Sequence, residues 1–330
     1  MADRGPSGLR ETRSADGTTI AFEKLGEGPP VILVVGAFNE RSTGMPLAEA
    51  LAGDFTVFAY DRRGRGDSGD TAPYAVEREI EDIAALITEA GGSAAVFGYS
   101  SGAVLALKAT ASLTATASGQ SAPSGRVTAT VGGEHTPNEQ GTVSGQGAAG
   151  EQSTAGEQGT ASEQGTASEQ GTAGGRGVTG LALYEPPPSS GHDPSAPPQD
   201  HVARLGEMVS AGRRGEAVEY FQTDMVGIPA EVVTRMRNAP FRPALEKMAH
   251  TLVYEALILE GGIPAELTGS LTVPTLVLCG GDSPEALRQA AQDLAGAVPH
   301  AELQVLDGQT HDLVPSAIAP TLGKFLRDLP

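Results

Sequence analysis

Tryptophan is absent and cysteine occurs once, at Cys279, in a chain of 330 residues. A lone cysteine forbids any intrachain disulfide. Its place at the end of the apolar run "PTLVLC" marks it as a small buried residue rather than a nucleophile. With no tryptophan and an aromatic share of 4%, no stacking platform for bases is visible. Basic residues are also scarce, 22 against 41 acidic ones, for a net charge of −19. Nucleic-acid binders need the opposite balance to displace counterions. The acids are spread along the chain, so they read as a solvated, self-repelling surface rather than a site for a cationic ligand. No apolar run approaches the ~18 residues of a membrane span, and the start of the chain holds no apolar signal core. The simplest expectation is a cytoplasmic protein acting on a small molecule, without nucleic-acid or membrane partners.

What is present is a set of short apolar runs bounded by Gly, Pro or Asp: "VILVV" at 31–35, "FTVFAY" at 55–60, "AAVFGY" at 94–99, "LALY" at 181–184, "TLVLC" at 275–279 and "LQVL" at 303–306. Strands buried on both faces have this composition. Residues 10–28 read as a hairpin turning at Asp16-Gly17. Between the runs lie helical patterns. Residues 74–91 carry apolar positions at helical spacing and end on Gly; 283–298 start with a Ser cap followed by Pro; the last segment, "PSAIAPTLGKFLRDL", should kink or break at Pro320. The alternation predicts an α/β fold, a mostly parallel sheet with helices on both faces.

Two regions interrupt it. Residues 112–177 contain a six-residue repeat with EQ at 151, 157, 163 and 169, and almost no strong apolar residues. Such a segment cannot bury enough surface to offset its ordering entropy, and a disordered low-complexity insertion is expected. Residues 186–272 open on the Pro-rich stretch "PPPSSGHDPSAPPQD" and continue as helical patterns. They read as a helical cap inserted before the penultimate strand, leaving 1–111 and 178–330 as the main domain.

The stretch Gly98-Tyr99-Ser100-Ser101-Gly102 fits G-x-S-x-G between an apolar strand and a helix pattern, the setting of a nucleophile elbow. The tight turn needs small residues two positions before and after the nucleophile, which selects Ser100 over Ser101. Ser101 then begins the helix, with its backbone N–H aimed at a developing oxyanion. A second donor is expected from the loop after the first core strand, "VVGAFNE", at Ala37 N–H. Phe38 and Tyr99 are expected to line the substrate pocket. The turn "DRRGRGDSGD" at 61–70 lacks the Lys-Ser/Thr pair of a phosphate loop and reads as structural.

Taken in order, "VILVVGAFN", "AYDRRGRGDSG", "VFGYSSGAV", "PTLVLCGGDSP" and "LDGQTHDL" resemble the α/β-hydrolase superfamily, over nearly the whole chain except 112–177. The resemblance implies an esterase-like fold with a helical cap, a Ser-acid-His triad and no obligatory cofactor. Of six histidines, His311 follows the last strand at the sheet's carboxyl edge, where open α/β sheets place ligands, and it matches the superfamily's base. The acid usually stands three residues after a glycine that ends the penultimate strand. Counted from Gly280, that place holds Ser283, with Asp282 one residue early. Other members take the acid from the end of the preceding strand, here Glu185. Both Glu185 and Asp282 remain open. The expected activity is hydrolysis of a small ester, lactone or thioester through an acyl-enzyme. A cofactor-free haloperoxidase, perhydrolase or C–C hydrolase would use the same residues, and a catalytically silent ligand-binding or scaffold protein is the non-enzymatic alternative.

Overall fold

The computed structural model describes residues 8–117, 177–188 and 200–330. The expected hairpin opens the described chain. β1 (Leu9–Arg13) and β2 (Thr19–Leu25) pair antiparallel. Gly17 supplies a φ of 85° at the turn, and Asp16 Oδ1 accepts the Thr18 N–H at 2.9 Å. The apolar runs become β3 (Pro30–Val34), β4 (Thr56–Tyr60), β5 (Ser93–Tyr99), β6 (Gly177–Tyr184), β7 (Thr275–Gly280) and β8 (Glu302–Leu306). All eight join one sheet in the order β1-β2-β4-β3-β5-β6-β7-β8, parallel from β4 to β8.

Helices cover both faces, as the alternation predicts. α1 (Arg41–Leu51) and α11 (Pro315–Arg327) bury Leu47, Ala48, Leu51, Ile318, Leu322 and Leu326 on one side. α2 (Val76–Glu89), α3 (Ser101–Ala117) and α10 (Glu285–Ala297) pack on the other. α11 runs through Pro320 without a break, so of the expected kink or interruption the interruption does not occur. Pro320 and Ser316 are both exposed, so water can satisfy the Ser316 carbonyl that loses its helical donor. The insertion expected over 112–177 lies outside the described residues except at its ends, where 112–117 continue α3 and Gly177 opens β6.

Between β6 and β7 come α4 (His201–Ser210), α5 (Arg214–Tyr220), a π-helical turn (Phe221–Met225), α6 (Ala230–Met236), α7 (Arg242–Lys247), α8 (Leu252–Leu259) and α9 (Ala265–Gly269). Their apolar faces form a separate cluster around Leu205, Tyr220, Phe221, Leu252 and Val253, against which Ala37 and Phe38 of the sheet domain pack. This is the expected helical cap. Among the described residues no helix is long and apolar enough to cross a membrane.

Strand order locates the functional edge. The chain leaves β3 for β4 on one side and returns to β5 on the other. The crevice beyond the carboxyl ends of β3 and β5 is therefore a topological switch point, where open sheets bind ligands.

Candidate active site

The loop after β3 and the turn after β5 meet in that crevice. β5 passes into α3 through a single residue, Ser100, held at φ 57°. That left-handed conformation is strained for serine. It survives because the neighbours leave no alternative: a Cβ on Gly98 would lie 2.6 Å from the Ala103 Cα, and one on Gly102 would collide with the Val34 carbonyl. Ser100 N–H donates to the Tyr184 carbonyl at 3.0 Å, tying the turn to β6.

Register then decides which carboxylate is near. β5 and β6 pair Tyr99 with Tyr184, so Ser100 and Glu185 are the first residues past the strands at the same level. Glu185 also has a positive φ, 54°, and is fully buried. Its Oε1 accepts the Gly280 N–H at 2.6 Å and the Ser283 hydroxyl at 2.8 Å. Its Oε2 lies 3.2 Å from His311 Nδ1, and His311 Nε2 lies 3.2 Å from Ser100 Oγ. Burial raises the Glu185 pKa, but the hydrogen bonds from His311, Gly280 and Ser283 outweigh it and hold the carboxyl below its usual value. The structure thus brings Ser100, His311 and Glu185 into one hydrogen-bonded line.

Asp282 does not join them. It is exposed, and its backbone N–H donates to the Gln309 carbonyl at 2.9 Å. The chain leaving Gly280 turns Ser283 inward instead. Ser283 also departs from the expected helix cap: Pro284 caps α10, and the Ser283 hydroxyl is spent on Glu185. Sequence reasoning missed this role, although its signal was present in a hydroxyl standing where the acid was sought.

The histidine loop is held from below by two tyrosines. Tyr99 Oη donates to the His311 carbonyl at 2.7 Å, and Tyr184 Oη to the carbonyls of Thr310 and Asp312. Burial pushes the Tyr99 hydroxyl up to about 12, so it stays a donor. Tyr99 was expected to line the substrate pocket. It is 9% exposed and its hydroxyl is committed to the loop, so it supports His311 from beneath. Phe38 does meet the cap, edge-on to Phe221 with ring centroids 5.4 Å apart, and has a φ of 60°.

Of the two expected oxyanion donors, Ser101 N–H opens α3 and has no helical acceptor. Ala37 N–H is engaged: it donates to Ser101 Oγ at 2.9 Å. Gly36 packs directly on the turn, where a Cβ would lie 2.9 Å from both the Ser100 Cβ and the Tyr99 carbonyl oxygen. His201 and His250 belong to the cap, and His135 and His192 lie outside the described residues. Among the described residues, no group of three His, Cys, Asp or Glu side chains is placed to hold a metal ion.

Comparison with known proteins bears on the family and the fold. A sequence model described as the alpha/beta hydrolase family matches residues 31–319. The solved structure of an alpha/beta hydrolase from Sphaerobacter thermophilus DSM 20745 is 42% identical, covering 96% of this chain and 99% of that one, at a TM-score of 0.71. The esterase RhEst1 from Rhodococcus sp. ECU1013 shares the fold, at a TM-score of 0.56 and 18% identity over 98% of this chain and 100% of that one. The uncharacterized hydrolase YraK of Bacillus subtilis (strain 168) is 35% identical over 100 residues. That match spans 29% of this chain and 37% of the relative's length.

Proposed function

The chain belongs to the α/β hydrolase family, and from that premise we propose that it is a serine hydrolase of small esters, lactones or thioesters. The observation that carries the reading is the line Ser100 Oγ–His311 Nε2–His311 Nδ1–Glu185 Oε2, with both gaps at 3.2 Å. His311 takes the Ser100 proton as Oγ attacks the acyl carbonyl. Glu185 accepts from Nδ1–H, which fixes the tautomer that leaves Nε2 basic and stabilises the imidazolium that follows. The carbonyl oxygen becomes an oxyanion received by Ser101 N–H and Ala37 N–H, sharing the latter with the Ser101 hydroxyl. His311 then protonates the leaving group, and water cleaves the acyl-enzyme by the same steps in reverse order.

The test is turnover of an aryl ester together with labelling by a fluorophosphonate. Both should vanish in Ser100→Ala, while labelling persists in Ser101→Ala. Peracid formation that outpaces ester hydrolysis would move the reading to a perhydrolase. A folded wild-type protein that neither turns over nor labels would move it to a binding protein.

A further inference from the structure

The turn after β4 buries three arginines, Arg62, Arg63 and Arg65, each at most 2% exposed. Arg62 and Arg63 are gripped from α2: Glu79 accepts two bonds from Arg62 at 2.7 Å, and Asp82 accepts from Arg63 at 2.8 and 2.6 Å. Arg65 differs. Its Nη1 donates to the Gly36 carbonyl at 2.6 Å and, at 3.3 Å, to that of Asn39. Arg62 Nη1 reaches the Val35 carbonyl at 3.3 Å. Two guanidiniums therefore hold three carbonyls of the loop that carries Ala37.

Peptide geometry gives this grip a consequence. The Gly36 carbonyl and the Ala37 N–H belong to one planar trans unit, so they point in opposite directions. Fixing the oxygen on Arg65 fixes the direction of the N–H, which points to Ser101 Oγ next to Ser100, and polarises the same peptide. Arg65 is itself held by Glu255 of cap helix α8, whose Oε1 also accepts from Arg62 at 2.7 Å. Glu255 is fully buried, and its Oε2 and the Arg65 Nε have no hydrogen-bond partner. One buried carboxylate thus carries two buried guanidiniums, an arrangement that burial alone makes costly.

We propose that Arg65 and Glu255 are positioning residues for the reaction, aligning the Ala37 N–H with the oxyanion and making that alignment depend on the cap. The inference rests on the serine-hydrolase reading. Burial and the neighbouring Arg62 pull the Arg65 pKa down, and Glu255 and Glu79 oppose that pull.

The experiment compares wild type with Arg65→Lys, Glu255→Gln and Glu255→Asp on an aryl ester. Rates are expressed per site titrated by fluorophosphonate, and affinity for a trifluoromethyl ketone analogue, whose hemiketal carries the oxyanion, is measured in parallel. Lysine keeps the charge but cannot reach Glu255 and Gly36 O together; Glu255→Asp keeps the charge and guards against loss of the fold. Loss of one oxyanion donor outright costs about 10²–10³ in kcat, so misalignment is expected to cost about 10–100-fold in kcat per site. KM should stay within about threefold, and ketone affinity should fall in step with kcat/KM. A purely structural network would lower the melting temperature and the number of titrated sites while kcat per site and ketone affinity stayed within twofold. That result overturns the inference alone. A wild type without Ser100-dependent hydrolysis overturns the serine-hydrolase reading and this inference with it.

Discussion

Replacing Glu185 by Gln exchanges one carboxylate oxygen for an NH2 at nearly constant volume. The surroundings choose the orientation. Gly280 N–H and the Ser283 hydroxyl both donate to Oε1, so the amide oxygen must stay there. Turning the NH2 toward them would leave two buried donors facing a third, at about 1–3 kcal/mol for each unsatisfied group. The NH2 therefore faces His311 Nδ1, which must then accept, and the proton moves to Nε2 beside Ser100. That is the tautomer that cannot take the serine proton. A comparable wrong-tautomer substitution in the Ser-His-Asp template costs ~10⁴ in kcat, or about 5.4 kcal/mol at about 1.36 per tenfold. The expected result is a kcat down by about three to four orders of magnitude, with KM little changed and the protein folded. Asp282→Asn is the control: the residue is exposed and away from the line, so its rate should stay within about twofold. Aryl-ester turnover per fluorophosphonate-titrated site reads both. A Glu185→Gln enzyme within tenfold of wild type, or an Asp282→Asn enzyme crippled, would refute the reasoning.

Ser283→Ala removes one donor from a buried carboxylate, and about 1.5–3 kcal/mol of stability at neutral pH is expected to go with it. The folded pKa of Glu185 lies below its usual value of about 4.3. Its contribution is therefore present above that value and lost as pH falls through the folded one, so urea melts of the two proteins should converge once the pH is below the folded value. Gly36→Ala would drive a Cβ to 2.9 Å from the Ser100 Cβ and the Tyr99 carbonyl oxygen, and hydrolysis should fall at least tenfold while the melting temperature moves little. Tyr184→Phe frees the carbonyls of Thr310 and Asp312. One lost bond of about 0.5–1.5 kcal/mol should loosen the His311 loop, read as a roughly three- to tenfold fall in kcat/KM and faster hydrogen exchange over 309–313.

The sheet was legible because each strand is a short apolar run with its own punctuation, and strand–helix alternation then left few topologies. Ser100 was legible for the same local reason: two glycines at fixed offsets are required by contacts that a Cβ would violate. Which carboxylate meets His311 was not, because the choice between Glu185 and Asp282 depends on how β5 pairs with β6 and on which way three residues turn after Gly280. Neither is encoded in the loop itself. The support that Tyr99 gives the His311 loop was not legible either, because its hydroxyl finds a carbonyl 212 residues away. The arginine turn read as structural, yet its reach to the loop that carries Ala37 was invisible. Glu255, the partner that makes burial of Arg62 and Arg65 tolerable, lies 193 and 190 residues from them in a different part of the fold.

The most direct measurement is to mix the protein with an aryl ester, quench within the burst, digest, and locate the acyl group by mass spectrometry. An acyl mass on Ser100, absent from Ser100→Ala and still at position 100 in Ser101→Ala, is the expected result. Ester turnover with the acyl group on any other residue, or with no acyl-enzyme in burst or steady state, would contradict the account.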